Sequence, residues 1–270
     1  FAVDTTLPTI SAIGTGAFSW GTHLNATEDN SNGTVGVTTV GVEDGQTVTI
    51  TLNGSTYTNT VSSDATTVTI TAAGLQGLTE GSVTMTADVS DAAGNAAAQV
   101  TSSAFTYDKT APSISAIATS ALSWGAVLNA TEDNSNGTVT VTTVGVEDGQ
   151  TVTITLNGAT YTNTVSSDAT TVTITAAALQ ALTDGQSYTL TADVSDAAGN
   201  AAAQVTSSSF AVDTTLPTIS AIATGAFSWG AVLNATEDNS NGTVSVTTSG
   251  AEDGQTVTIT LNGATYTNTV

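Results

Sequence analysis

The side chains of this sequence that could do chemistry are almost all carboxylates. Twenty-three Asp and Glu stand against a single base, Lys109, and a single histidine, His23, for a formal net charge of −22. Two carboxylates about 5 Å apart repel by roughly 3 kcal/mol at an effective dielectric near 20. Acids held together without counter-charge therefore call for a cation. Calcium is the natural one, because it accepts an irregular set of carboxylate, amide and carbonyl oxygens. Binding to a nucleic-acid backbone needs clustered Lys and Arg, which are missing here. Attachment to an anionic membrane surface is excluded on the same ground.

Catalysis fares no better. His23 is replaced by Val127 and Val232 at the equivalent repeat positions, and there is no arginine to bind a phosphate or carboxylate substrate. The sequence predicts a protein that is not an enzyme. There is no cysteine, so neither disulfides nor thiolate metal sites can stiffen it. No apolar run approaches the roughly 18 residues of a membrane span, so no membrane insertion is expected in this segment. Phe1 reads as the middle of a strand, with no signal peptide ahead of it. Trp20, Trp124 and Trp229 recur at one repeat position and read as core packing. A platform for stacking sugars is the competing reading.

Self-comparison sets the architecture. FAVDTTLPTISAIGTGAFSWG at residue 1 returns as FTYDKTAPSISAIATSALSWG at 105 and FAVDTTLPTISAIATGAFSWG at 210. A repeat of this length matches one β-sandwich domain. The expected division is an immunoglobulin-like repeat over 1–107, a second over 108–212, and a partial third over 213–270, truncated after its fourth strand. Residues 46–53, QTVTITLN, alternate Val48, Ile50 and Leu52 with Thr, and Asn53-Gly54 then fits a type I′ hairpin turn. Further strands are expected at 66–72, 83–90 and 96–108, with a short helical crossing at 72–81. Reading TISAI and HLNATE as halves of one interrupted first strand gives seven strands. Seven places the chain termini at opposite ends of each domain. The fold expected is all-β: tandem seven-stranded immunoglobulin-like β-sandwiches arranged end to end as a rod.

Strand parity then sorts the acids. In the first repeat, Asp4, Glu43, Asp44, Asp64, Asp88 and Asp91 fall at the N-terminal end, and Glu28, Asp29 and Glu80 at the C-terminal end. Each joint should therefore gather up to nine carboxylates from its two sides. The candidate calcium ligands are Asp4, Asp88, Asp91, Asn95 and Glu80, with Glu28 and Asp29, in the first repeat. In the second they are Asp108, Asp193, Asp196, Asn200, Glu132, Asp133 and Asp184, and the next linker adds Asp213. Glu43-Asp44-Gly45 and Asp64 read first as solvated turn residues. The stretch Glu28 to Gly33 echoes half an EF-hand loop, although Thr39 stands where its last acid belongs.

The linker VDTTLPTI, the hairpin GQTVTITLNGATYTNTV and the run LTDGQSYTLTADVSDAAGNAA resemble the bacterial Ig-like repeats of giant RTX-type surface adhesins. DTTxP and SDAAGNA are the most specific parts, and the resemblance covers the whole chain. It implies extender domains, secreted or at the bacterial cell surface, that project a distal binding module for attachment or biofilm formation. It also implies calcium at interdomain linkers, with Asp4, Asp108, Asp213, Asp91 and Asp196 among its ligands. No RTX nonapeptide is present. The partners expected are calcium ions and neighbouring repeats of the same chain, with homotypic contacts between molecules. A subunit of a self-assembling filament or surface layer is the alternative.

Overall fold

Alternation of β-branched residues with Thr dominates the chain, and it folds accordingly. The computed structural model describes residues 3–270; Phe1, expected within a strand, lies outside the described residues. The first repeat contains β1 (Thr9–Ile10), β2 (His23–Leu24), β3 (Gly33–Val40), β4 (Thr47–Leu52) and β5 (Ser55–Thr60). After them come β6 (Ala65–Ile70), α1 (Ala72–Gln76), β7 (Gly81–Val83), β8 (Thr86–Asp88), β9 (Val100–Thr101) and β10 (Phe105–Tyr107).

The strands pair as β1-β3-β6, as β5-β4-β8-β9 and as β2-β10-β7. The two halves of the first strand thus pair in different sheets: β1 is antiparallel to β3, and β2 is parallel to β10. Parallel first and last strands in an otherwise antiparallel up-and-down order require an odd number of strands. Counting β1/β2, β7/β8 and β9/β10 as interrupted single strands gives the expected seven. HLNATE is strand only at His23–Leu24; Glu28–Asn30 turns as a single 3-10 turn.

The interruption between β9 and β10 has a local cause. Buried Ser102 donates its backbone N–H to the Met85 carbonyl, and its Oγ accepts from the Met85 N–H and donates to the Ser103 carbonyl. A side chain thereby replaces one rung of the ladder. Ser207 does the same opposite Leu190.

The inward residues Val35, Val37, Val48, Ile50, Leu52, Val68 and Ile70 form the core with Leu75 of α1. Trp20 stacks on Phe18 at 5.4 Å and meets Phe105 edge-on at 5.3 Å. Trp20 and Trp124 are buried, so in these two repeats the indole is core and offers no sugar platform. His23 is half-buried beside β10, with its ring Nδ1 3.0 Å from Thr22 Oγ1.

The chain divides into two units. The first comprises Phe1–Leu122, Thr138–Thr173 and Thr189–Ser208. Besides the first repeat it contains Thr151–Leu156 paired with Ala159–Thr164 and with Leu190–Asp193. The second comprises Ser123–Gly137, Ile174–Tyr188 and Ser209–Val270. There Val127–Asn129 runs parallel to Phe210–Asp213, Trp124 meets Phe210 edge-on at 5.3 Å, and Thr256–Leu261 pairs with Ala264–Thr269. Among the described residues no helix is long and apolar enough to cross a membrane.

Candidate metal sites at the joints between repeats

The acids sit in turns and near strand ends, and donors of the same turn or of a neighbouring segment orient them. Asp4, Asp108 and Asp213 each accept from the backbone N–H two residues on, at 2.9, 2.9 and 3.3 Å. Such Asx turns set the path of the linker. Asp91 and Asn95 close the DAAGN loop: Asp91 Oδ1 accepts from the Asn95 N–H at 2.7 Å and its Oδ2 from Asn95 Nδ2 at 2.8 Å. These bonds, the Asn95 side chain first, hold the Asp91 carboxyl below its ordinary value against the opposing effect of burial. Gly94, at φ +94°, makes the turn possible. Asn95 Nδ2 also reaches the Asp4 carbonyl at 3.3 Å, so loop and linker meet at the N-terminal end as parity requires.

The remaining candidates are placed as follows. Asp88 and Asp193 each accept, with both oxygens, from the side-chain amide of Gln99 and Gln204, just ahead of the neighbouring strand. Glu43 Oε2 accepts from the Ala92 N–H and Glu147 Oε2 from the Ala197 N–H, both at 2.8 Å. Asp44 accepts from the Ser63 N–H at 2.7 Å, and Asp64 sits at φ +60° in the same tight turn. Glu28 and Glu132 cap the N–H groups of Asn25 and Asn129 at 3.1 Å. Asp29 is buried and accepts from the Tyr107 hydroxyl at 2.7 Å. Burial, then the Asp29 hydrogen bond and charge, push the Tyr107 hydroxyl up to about 12. Asp133 is half-buried, and Val212 stands where Tyr107 would be.

At the first joint, inside the first unit, Glu80 accepts from the Lys109 N–H and the Thr110 hydroxyl, both at 2.9 Å. The Lys109 backbone donor and then the Thr110 hydroxyl hold the Glu80 carboxyl below its ordinary value. Lys109 Nζ lies 5.8 Å from the Tyr107 ring centre. From the other side, Asn200 Nδ2 donates at 2.9 Å to the Asp108 carbonyl and at 2.9 Å to Asp196 Oδ2. Across the joint, Asn25 Nδ2 donates to the Ala198 carbonyl at 2.9 Å and the Ala26 N–H to Asn200 Oδ1 at 3.0 Å. At the second joint, inside the second unit, Asp184 accepts from the Thr214 N–H at 2.7 Å and the Thr215 hydroxyl at 2.6 Å. Those bonds, the Thr215 hydroxyl first, likewise lower its carboxyl.

The end assignments are therefore realised at the first joint, where Glu80 meets the linker and the Asp196 loop meets both linker and preceding repeat. The expected pooling of nine carboxylates is not. Among the described residues no three acidic or histidine side chains come together as a metal-holding group. The hydrogen-bonded carboxylates are oriented toward separate donors, some in their own turn (Asp4, Asp91, Glu28) and others on neighbouring segments (Asp29 on Tyr107, Glu43 on Ala92, Glu80 on Lys109 and Thr110). Sequence reasoning missed Asn25, Ala198 and Tyr107. The repetition of Asn-Ala-Thr-Glu at 25, 129 and 234, and the Tyr at 107 where 212 has Val, were the available signals.

No family model matches the chain, and no curated protein does. Among solved structures, it is 32% identical to a Ca2+-stabilized adhesin that helps an Antarctic bacterium reach out and bind ice. That match covers 99% of this chain and 64% of the other, with a TM-score of 0.48, so this chain spans under two thirds of that structure. A 1.5-MDa bacterial ice-binding adhesin matches at 26% over 99% of this chain and 85% of its own, with a TM-score of 0.47. A single bacterial immunoglobulin-like domain from the M. primoryensis ice-binding adhesin matches at 32% identity. That alignment takes in 95% of the domain and 38% of this chain, with a TM-score of 0.28. The chain is all-β, built of repeats with an immunoglobulin-like strand order, and similar to the bacterial Ig-like repeats of large ice-binding adhesins.

Proposed function

We propose that this chain is a structural extender region of a secreted or cell-surface bacterial adhesin. Its repeats, with limits at 1–107, 108–212 and 213–270, are joined end to end as a rod and stiffened by calcium at their joints. It would project a distal module for attachment or biofilm formation. One observation carries the reading: 23 acids recur at fixed repeat positions with a single base in the whole chain. One of the similar adhesins is itself Ca2+-stabilized.

The donor chemistry at the first joint fits a hard cation. Asp196 Oδ2 and the Asp108 carbonyl both converge, at 2.9 Å, on the single donor Asn200 Nδ2. The Asp91 loop and the Asp4 carbonyl repeat that convergence on Asn95 Nδ2. The Asp108 carbonyl and the Asp196 carboxylate would be protein ligands at the first joint, and Asp213 and Asp184 at the second. Bound calcium would neutralise the mutual repulsion of these groups. Extracellular modules bind calcium with dissociation constants of about 10⁻⁴ to 10⁻³ M, and a roughly 100-fold excess over one such site stabilises the bound state by about 2.7 kcal/mol.

The test is small-angle scattering and thermal melting of the chain in millimolar calcium and in chelator. Calcium should raise the melting temperature and lengthen the maximum dimension. If neither quantity changes, the calcium reading is rejected.

A further inference from the structure

Asn200 is the one side chain at the first joint that touches three separate segments. It is 6% exposed. Its Oδ1 accepts from the Ala26 N–H of the preceding repeat, and its Nδ2 donates to the Asp108 carbonyl of the linker and to Asp196 of its own loop. Asn25 adds the reciprocal bond to the Ala198 carbonyl, and Gly199 leaves the room: a Cβ there would sit 3.3 Å from Asn25 Nδ2. Glu147 holds the loop in place through the Ala197 N–H. All these groups except the two carboxylates are neutral amides.

The halves of this contact recur without a counterpart among the described residues. Asn95 keeps its bonds to Asp91 and the Asp4 carbonyl, yet its Oδ1 accepts nothing. It is only half-buried, and Ala93 is exposed where Ala198 is 8% exposed. At the second joint Asn129 is exposed, and Ala130 has no hydrogen-bond partner on its N–H. There Asn129–Glu132, Asp213–Pro217, Gly250 and Glu252 line an open cavity of ≈ 450 Å³. At the first joint the equivalent groups have the Ala198–Asn200 loop against them.

We infer that Asn200, paired with Asn25 and Ala26, is a metal-independent latch that closes the joint by amide hydrogen bonds. The partner it fits is another copy of this repeat, presented by its Asn-Ala-Thr-Glu end. The latch works in the absence of the ion proposed above and does not depend on it.

Amide hydrogen exchange of the 270-residue chain in chelator tests this, with the Ala130 amide as internal control. In the unmodified chain the Ala26 amide should be protected and the Ala130 amide should not. Asn200→Ala should speed Ala26 exchange up to about tenfold, the range of one net hydrogen bond. Asn95→Ala, which makes the same bonds within its own loop, should leave Ala26 unchanged. Asn25→Asp keeps an acceptor for the Thr27 and Glu28 N–H groups and puts a carboxylate oxygen against the Ala198 carbonyl in place of the donor. It should speed Ala26 exchange with its own turn intact. An Ala26 amide as fast as Ala130, or unaffected by Asn200→Ala, overturns the latch. A chain that ignores calcium but keeps Ala26 protected overturns the calcium reading and leaves the latch standing.

Discussion

The same nine residues, QTVTITLNG, occur at 46–54 and at 255–263, and they meet two different fates. Both copies form a hairpin in the same register, Leu52 opposite Ser55 and Leu261 opposite Ala264. Both turn through Asn and Gly at positive φ, 47° and 77° in the first and 48° and 80° in the second. Yet Leu52 is 1% exposed and Leu261 is 58% exposed. In the first repeat β8 pairs against β4 and a second sheet closes over it. The final segment has no such cover among the described residues. Strand and turn are written locally, whereas burial comes from chain far away in sequence.

The largest test of that difference is truncation of an inward side chain. Ile50 is fully buried, and Ile50→Ala should cost about 2–5 kcal/mol, the usual range for a core isoleucine. Ile259, at the same place in the last hairpin, is only half-buried, and Ile259→Ala should cost about 1 kcal/mol or less. Hydrogen exchange resolved by segment reads both. Equal losses would mean that the final hairpin is covered in solution and that the contrast is not real.

Overpacking sharpens the same point. A Cβ on Gly33 would collide with the Trp20 ring, and one on Gly242 with Trp229. Gly33→Ala should cost about 1–3 kcal/mol, because Trp20 is buried and cannot withdraw. Trp229 is half-exposed, so Gly242→Ala should be milder. Denaturant midpoints followed by tryptophan fluorescence would rank the two.

The sequence carries the strands and turns well, because alternation and Asn-Gly are local signals. The AAGLQ run shows as α1, and parity places the Asp91 loop and Glu80 at opposite ends. The breaks in the last two strands are not legible, since Ser102 looks like an outward polar residue and is in fact a buried rung. Nor is the joint itself. Charge counting pointed to pooled carboxylates, but the hydrogen-bonded acids turn toward separate donors, in their own turns or on neighbouring segments. Asn25 meets Ala198, and Ala26 meets Asn200, only because two loops 173 to 174 residues apart arrive at one place.

Tyr107 offers a titratable version of the comparison. Its hydroxyl donates to the buried Asp29 carboxylate, whereas Asp238, the counterpart of Asp29 in the final segment, is exposed. Tyr107→Phe leaves that carboxylate without its donor and should cost about 1–3 kcal/mol. The folded-state value for Tyr107 lies above the ordinary 10.0, at about 12. Its contribution is therefore complete below pH 10 and is lost as pH rises toward 12. The unmodified chain should lose stability across that window more steeply than Tyr107→Phe. Parallel alkaline profiles for the two would contradict the placement.

The smallest effect expected is the one that should not differ between the regions. Gly54 and Gly263 occupy the second turn position at nearly the same positive φ. An L side chain in that conformation costs about 1 kcal/mol whatever lies above the strands. Open space surrounds both, with nothing within 4 Å of an added Cβ. Gly54→Ala and Gly263→Ala should thus weaken their hairpins by the same amount, read as equal increases in exchange at the strand amides flanking each turn. If Gly263→Ala does far more than Gly54→Ala, the turn holds the final hairpin together where the core holds the first. If it does far less, the final hairpin does not keep the type I′ turn. Either inequality would break the claim that register here is set by two residues alone.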